Sequence, residues 1–173
     1  MFRRTFFAEI ALCFLCSVVN AQDMDLKTPD GFHSGVFVAG EKTFYGQEKI
    51  RPSVLVISKI DRPLAPEMLT NRSLQKAYLD GLKQILQSKN IENFVFQGVA
   101  RTAVGAKRAL LYSYSFSEGK SGHVVQGKTL LMEWNKREAL SIDFTALTAH
   151  ARSAWDESLK SLVALEKSQG QMK

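Results

Sequence analysis

The chain has three histidines, His33, His123 and His150. A zinc site built on histidine needs at least a pair at helical or strand spacing, plus a third ligand. Neither H-x-H nor H-x-x-x-H occurs, and each histidine falls near an expected loop or strand edge. They read as ordinary boundary residues. Ser121-Gly122-His123 sets a serine beside a histidine, but nucleophilic catalysis needs a third group that only the fold can bring in. No G-x-S-x-G nucleophile turn is present, and Ser121 reads as a turn former. Among the carboxylates, Asp156-Glu157 is expected in the first turn of the last helix, where negative charge suits the positive end of the macrodipole. Glu133 and Asp143 fall on neighbouring strands and are expected to approach one another or Lys128. A salt-bridged sheet surface is the plainer reading of that group, and a paired acid and base in a cleft the sharper one. Gly98, Gly105, Gly119, Gly122 and Gly127 are scattered, without the spacing of a phosphate-cradling loop. Asn71-Arg72-Ser73 is formally a glycosylation sequon and reads better as a helix start. The sequence therefore nominates no catalytic, cofactor-binding or metal-ligating residue and implies no cofactor. The expectation is a protein that is not an enzyme, with its ligand-binding residues unknown.

Compartment is easier to read. Met1-Phe2-Arg3-Arg4 is a short basic start, an apolar run follows from Phe6 to Val19, and Val19-Asn20-Ala21 supplies a cleavage site. This is the three-part pattern of a secretory signal peptide over residues 1–21. The apolar run is shorter than the roughly 20 residues of a bilayer-spanning helix, and Glu9 interrupts it. Lipid attachment at Cys13 or Cys16 would need small residues before the cysteine, where Phe14 and Leu15 precede Cys16. Both cysteines leave with the signal, so the expected mature chain has no disulfide, no zinc-thiolate site and no cysteine nucleophile. Removing residues 1–21 from the 173 leaves 152, enough for one domain with a real core. The expected location is periplasmic or secreted. The full chain carries a formal net charge of +6, which suits solubility and weak attraction to anionic surfaces. Lysine and arginine do not cluster with aromatics, so no nucleic-acid partner is expected. After signal removal no segment could span a membrane.

The elements that must position any site follow from periodicity. Residues 22–30 read as a flexible lead-in and 31–173 as a single domain. Thr28-Pro29-Asp30-Gly31 reads as a turn. A first short strand is expected over 34–39, then a polar hairpin or irregular loop over 40–49. A second strand follows over 53–60, apolar on both faces and so central. Pro63 and Pro66 keep the next link out of regular structure. Leu74, Tyr78, Leu82, Ile85 and Leu86 form one stripe of a helix over 72–87, capped by Thr70 or Asn71. Strands are expected over 94–100, 108–117, 123–134 and 138–148, the last three forming an antiparallel meander. Leu110, Tyr112, Tyr114 and Phe116 share one face there. A second helix over 153–167 buries Trp155, Leu159, Leu162 and Val163, with Ser153 and Asp156 as a capping-box-like start. Phe94, Phe96, Trp134, Phe144 and Trp155 are expected in the core. Tyr112 and Tyr114 stand out, because a buried phenol needs a polar partner. Two amphipathic helices and a two-sided sheet make an α+β fold, with helices packed on the faces of an antiparallel or mixed sheet as an α/β/α sandwich.

From about Gly31 to Lys167 the chain resembles the PsbP-like fold family. That group contains extrinsic photosystem subunits, small Ran-binding import factors and exported bacterial proteins of similar size. The resemblance rests on Gly98-Val99-Ala100, the strand from Arg108 to Phe116, the hairpin to Val124-Val125-Gln126, the strand Leu140 to Phe144 and the closing helix with Trp155. It implies the sandwich fold and a role in binding other proteins, and it carries over no site residues.

The functional expectation is a non-catalytic exported binding or accessory protein, acting by protein–protein contact in the periplasm or cell envelope. A specific form is a periplasmic inhibitor or immunity protein against a toxic enzyme. Two other classes stay open: an enzyme whose site assembles from distant loops, which predicts a cleft holding a histidine and a carboxylate, and a small-ligand carrier, which needs a closed apolar cavity between sheet and helix.

Overall fold

The computed structural model describes residues 28–38, 41–88, 91–119 and 121–170. The expected signal segment with its two cysteines, and most of the lead-in, lie outside the described residues. The described chain begins in the expected turn, where the Phe32 amide donates to the Pro29 carbonyl and Gly31 takes a φ of 80°. Seven strands follow: β1 (Phe32–Val38), β2 (Glu41–Gly46), β3 (Val54–Ile60), β4 (Ile91–Val104), β5 (Lys107–Glu118), β6 (Val124–Glu133) and β7 (Ala139–Leu147). They form one sheet in the order β1-β2-β3-β7-β6-β5-β4. Every pairing is antiparallel, so the α+β expectation holds and the mixed-sheet option falls away.

The order has a physical origin. Helix α1 (Arg72–Ser88) follows β3 and carries the chain to the far edge of the sheet, where β4 begins. Hairpins then lead back through β5 and β6 to β7, which pairs with β3 over seven residues, from Val54↔Thr145 to Ile60↔Ala139. The stretch expected as a loop or hairpin over 40–49 contains β2. Charge and two glycines hide it in the sequence, but Phe44 is fully buried and pairs with Leu55. Tertiary pairing overrides weak local propensity there.

The two helices cover opposite faces. Side chains alternate along each strand, and Leu55, Ile57, Leu130, Met132, Leu140, Ile142 and Phe144 meet helix α2 (Ala151–Gly170) through Trp155 and Leu162. The Phe144 and Trp155 rings lie 5.5 Å apart. On the other face Leu82 and Leu86 of α1 pack on Tyr114, Phe116 and Val125. Beside them Tyr78, Leu64 and Leu69 pack on Leu110, Tyr112, Leu131 and Ala139. Between β3 and α1 the proline-marked link holds one 3-10 turn, Pro66–Leu69.

Asn71 caps α1, its Oδ1 accepting from the amides of Ser73 (2.9 Å) and Leu74 (3.3 Å). That also gives the sequon asparagine a structural job. Leu74, the first residue of the expected stripe, is exposed. Helix α2 starts two residues earlier than expected, so Ser153 lies inside it and donates to the His150 carbonyl (3.3 Å) instead of capping. The earlier start removes Asp156 and Glu157 from the first turn. Glu157 instead pairs with Lys160 at 2.5 Å. Two aromatics depart from their expected core positions: Phe96 is exposed and Phe94 half-buried, because β4 is the outermost strand.

Candidate functional site

The α1 face carries a polar seam across the middle of the sheet. The pairings set Thr43, Val56, Asp143, Thr129, Tyr112 and Val99 in one row from β2 to β4. A neighbouring row holds Glu41, Ser58, Ser141, Leu131, Leu110 and Arg101. Polar side chains at alternate positions of central strands must find partners or lose stability.

Asp143 is the hub. Its Oδ1 accepts from Thr129 Oγ1 at 2.6 Å and its Oδ2 from Ser141 Oγ at 3.1 Å. The Tyr114 hydroxyl lies 3.4 Å from Thr129 Oγ1, and Tyr78 of α1 is hydrogen-bonded to Ser141. With both acceptor oxygens of Asp143 engaged by hydroxyl protons, the two phenols serve as donors to those hydroxyls. Gly127 is required beneath this chain, since a Cβ there would collide with the Tyr114 ring. The hydroxyl of Tyr112 has no hydrogen-bond partner among the described residues, and neither do Ser58 Oγ and Thr145 Oγ1.

Electrostatics in the seam disfavour a second negative charge. Burial raises the Asp143 carboxyl, against the pull of Thr129 and Ser141. Burial, then the charge of Asp143, pushes Glu41 up to about 7, against a hydrogen bond from Thr43. Burial likewise takes the Tyr112 phenol to about 12 and lifts Tyr78 and Tyr114. The seam can therefore hold a proton near neutral pH.

The expected grouping of Glu133, Asp143 and Lys128 does not form. Glu133 is bound by Arg108 at the end of β6, through contacts of 2.9 and 2.5 Å. Asp143 sits opposite Thr129, four residues away along that strand. Lys128 faces the other side, 5.0 Å over the Trp155 ring. The charge of Asp143 acts instead on Glu41, a residue in the stretch expected as a loop. Ser121 Oγ accepts from the His123 amide (3.3 Å) and donates to Glu118 (3.2 Å), which is turn chemistry. His33 lies on β1 against Tyr45, and His150 precedes α2. No three of the described His, Cys, Asp and Glu residues are grouped to hold a metal. No helix among the described residues is long and apolar enough to cross a membrane.

A groove opens where the α1 face reaches the β4 edge. It measures about 480 Å³ between the 3-10 turn (Glu67, Leu69) and the β4–β5 hairpin (Arg101, Thr102, Arg108). A smaller hollow of about 210 Å³ shares Thr70 and Arg101 with it and adds Arg72, Gln75 and Val99. Arg72 and Arg101 take part in no ion pair among the described residues. Both hollows are open to solvent, unlike the closed cavity a ligand carrier would need. Arg101 lies just beyond the strand that alternation predicts over 94–100, and β4 runs on through it to Val104. Ser141 and Thr145 flank Asp143 at alternate positions, a legible sign of a polar stripe within a central strand.

No family model and no curated protein matches the chain. Among solved structures, one similar chain is PA94 of Pseudomonas aeruginosa, a protein of unknown function. It is 15% identical, with a TM-score of 0.46, and the match covers 69% of this chain and 78% of that one. Another is LpqN, involved in cell envelope biogenesis of Mycobacterium tuberculosis, 18% identical with a TM-score of 0.47. That match covers 78% of this chain and 76% of that one.

Proposed function

We propose that the chain is a non-catalytic binding protein that works outside the cytoplasm, in the periplasm or cell envelope. It meets another protein through the β4 end of its α1 face. One observation carries this reading: the groove there combines Arg72 and Arg101, without ion pairs among the described residues, with the exposed apolar side chain of Val99, and Phe96 is exposed farther along the same edge strand. Charged and apolar groups side by side at an open sheet edge suit recognition of a polypeptide. The polar seam supports the surface from beneath, because Tyr114 of β5, Thr129 of β6 and Asp143 of β7 form one chain of hydrogen bonds under α1.

The test is capture from an envelope extract by the mature chain, beside a Val99→Asp/Arg101→Glu double variant and a His33→Glu variant on the opposite edge. Loss of the captured protein in the double variant alone is the expected outcome. Loss only in the His33→Glu variant would move the contact to β1 and contradict the proposal.

A further inference from the structure

We propose that Val99–Val104 of β4 receive an extended acidic segment of the partner protein as an eighth strand of the sheet. The inference rests on the β4 end being the contact surface and names what binds there. Among the described residues strand β4 pairs only with β5. Its first part is broken by two irregularities, between Glu92 and Val95 and between Phe96 and Gly98, and Asn93 and Gly98 take φ values of 51° and 150°. Bulges of this kind blunt an edge against strand addition.

The second part has no such protection. From Val99 to Val104 the register with β5 is continuous, ending at Val104↔Lys107. The outward amides and carbonyls there keep regular strand spacing. Residues 99–103 are all exposed, and Arg101 is the sole charged residue among them. A strand docked on this stretch gains main-chain hydrogen bonds, while side-chain pockets set its sequence.

Charge selects the occupant. Arg101 shares its hollow with Arg72, and neither is ion-paired among the described residues, whereas Arg108 is held by Glu133. An incoming strand with carboxylates on the α1 side meets two guanidinium groups able to take them bidentately. A second copy of this chain fits poorly. Antiparallel self-pairing about the middle of the segment would bring Arg101 close to Arg101 of the copy, and like charges at cross-strand positions destabilise.

The probe is a labelled heptapeptide alternating threonine and glutamate, with a threonine–lysine counterpart. Two further versions of the glutamate peptide carry N-methyl groups on the amides of one edge or of the other. The glutamate peptide is expected to bind at least about tenfold more tightly than the lysine peptide, and Arg101→Glu to reverse that order. Arg101→Gln should abolish the preference without reversing it. One N-methylated version should lose at least about tenfold in affinity, because it blocks main-chain pairing at unchanged charge. Backbone amide shifts should map to residues 99–104. Failure of the glutamate peptide to bind by about 1 mM, or equal binding of the two charge forms, would overturn the proposal. Full binding by both N-methylated versions would overturn strand addition while leaving the groove as the contact surface. Amide shifts confined away from β4 would remove both. Self-association through β4 in sedimentation would replace the acidic segment with a second copy.

Discussion

The two faces of the sheet are built on different principles. Under α2 the strands present Leu, Ile and Phe almost without interruption, closed by Trp155. Under α1 the same strands present Asp143, Ser141, Thr129, Tyr112 and Tyr114, joined by Tyr78 of the helix, and the face ends in an open groove lined by arginine. Apolar burial stabilises in proportion to area and needs no partner geometry. A buried polar network must be satisfied group by group, and failures cost more than successes gain. The α2 face is thus the stability half of the molecule. The α1 face gives up some stability and presents the groups that can recognise something.

The largest expected effect tests the apolar half. Trp155→Ala should cost about 3–5 kcal/mol in denaturant melts, as truncation of a large buried aromatic does. A cost below about 0.5 kcal/mol would show that α2 is not the seal of that face.

The next effect belongs to the polar half. Glu41 has an ordinary value of 4.5 and is pushed up to about 7 in the folded chain. Between those values the folded state binds more protons than the unfolded one, so stability falls as pH rises. The contribution is fully present below about 4.5 and lost by pH values above about 7. The shift corresponds to about 3 kcal/mol. The raised Asp143 carboxyl acts in the same direction. Urea melts from pH 4.5 to 8 should show this decline in the parent chain and a flatter profile in Glu41→Gln. An unchanged slope in the variant would remove Glu41 from the seam.

A smaller effect concerns geometry. Gly127→Ala should cost about 1–3 kcal/mol, because the new methyl displaces the Tyr114 ring and its hydroxyl contact. The smallest is at the helix that covers the seam: Asn71→Ala should cost about 1 kcal/mol through loss of the α1 cap. A Gly127→Ala variant as stable as the parent would mean that the tyrosine does not lie across β6.

The difference between the faces also explains what could be read in advance. The stripe of α2 and the alternation of β3, β5 and β7 were legible because apolar side chains at periods of 3.6 and 2 are local signals. Strand β2 was not. Glu41 and Lys42 disguise it, and its place depends on pairing with β3, which lies beyond a loop. Asp143 stands out in the sequence, but beside Glu133 and Lys128, which the structure places elsewhere. Its hydrogen-bond donors, Thr129 and Ser141, and the groups that feel its charge, Glu41 and Tyr78, come from four separate elements that the sheet order brings together. The groove was invisible for the same reason: Arg72 opens a helix and Arg101 lies on the farthest strand. The crossover of α1 over the sheet is what makes them neighbours.

Photo-crosslinking in cells most directly tests whether recognition belongs to the β4 end of the α1 face. A photoreactive residue replaces Val99 in one protein and Lys160, exposed on α2, in another. The account predicts a specific crosslinked protein from position 99, abolished by adding Arg101→Glu, and none from position 160. A crosslink from position 160 with none from position 99 would contradict it.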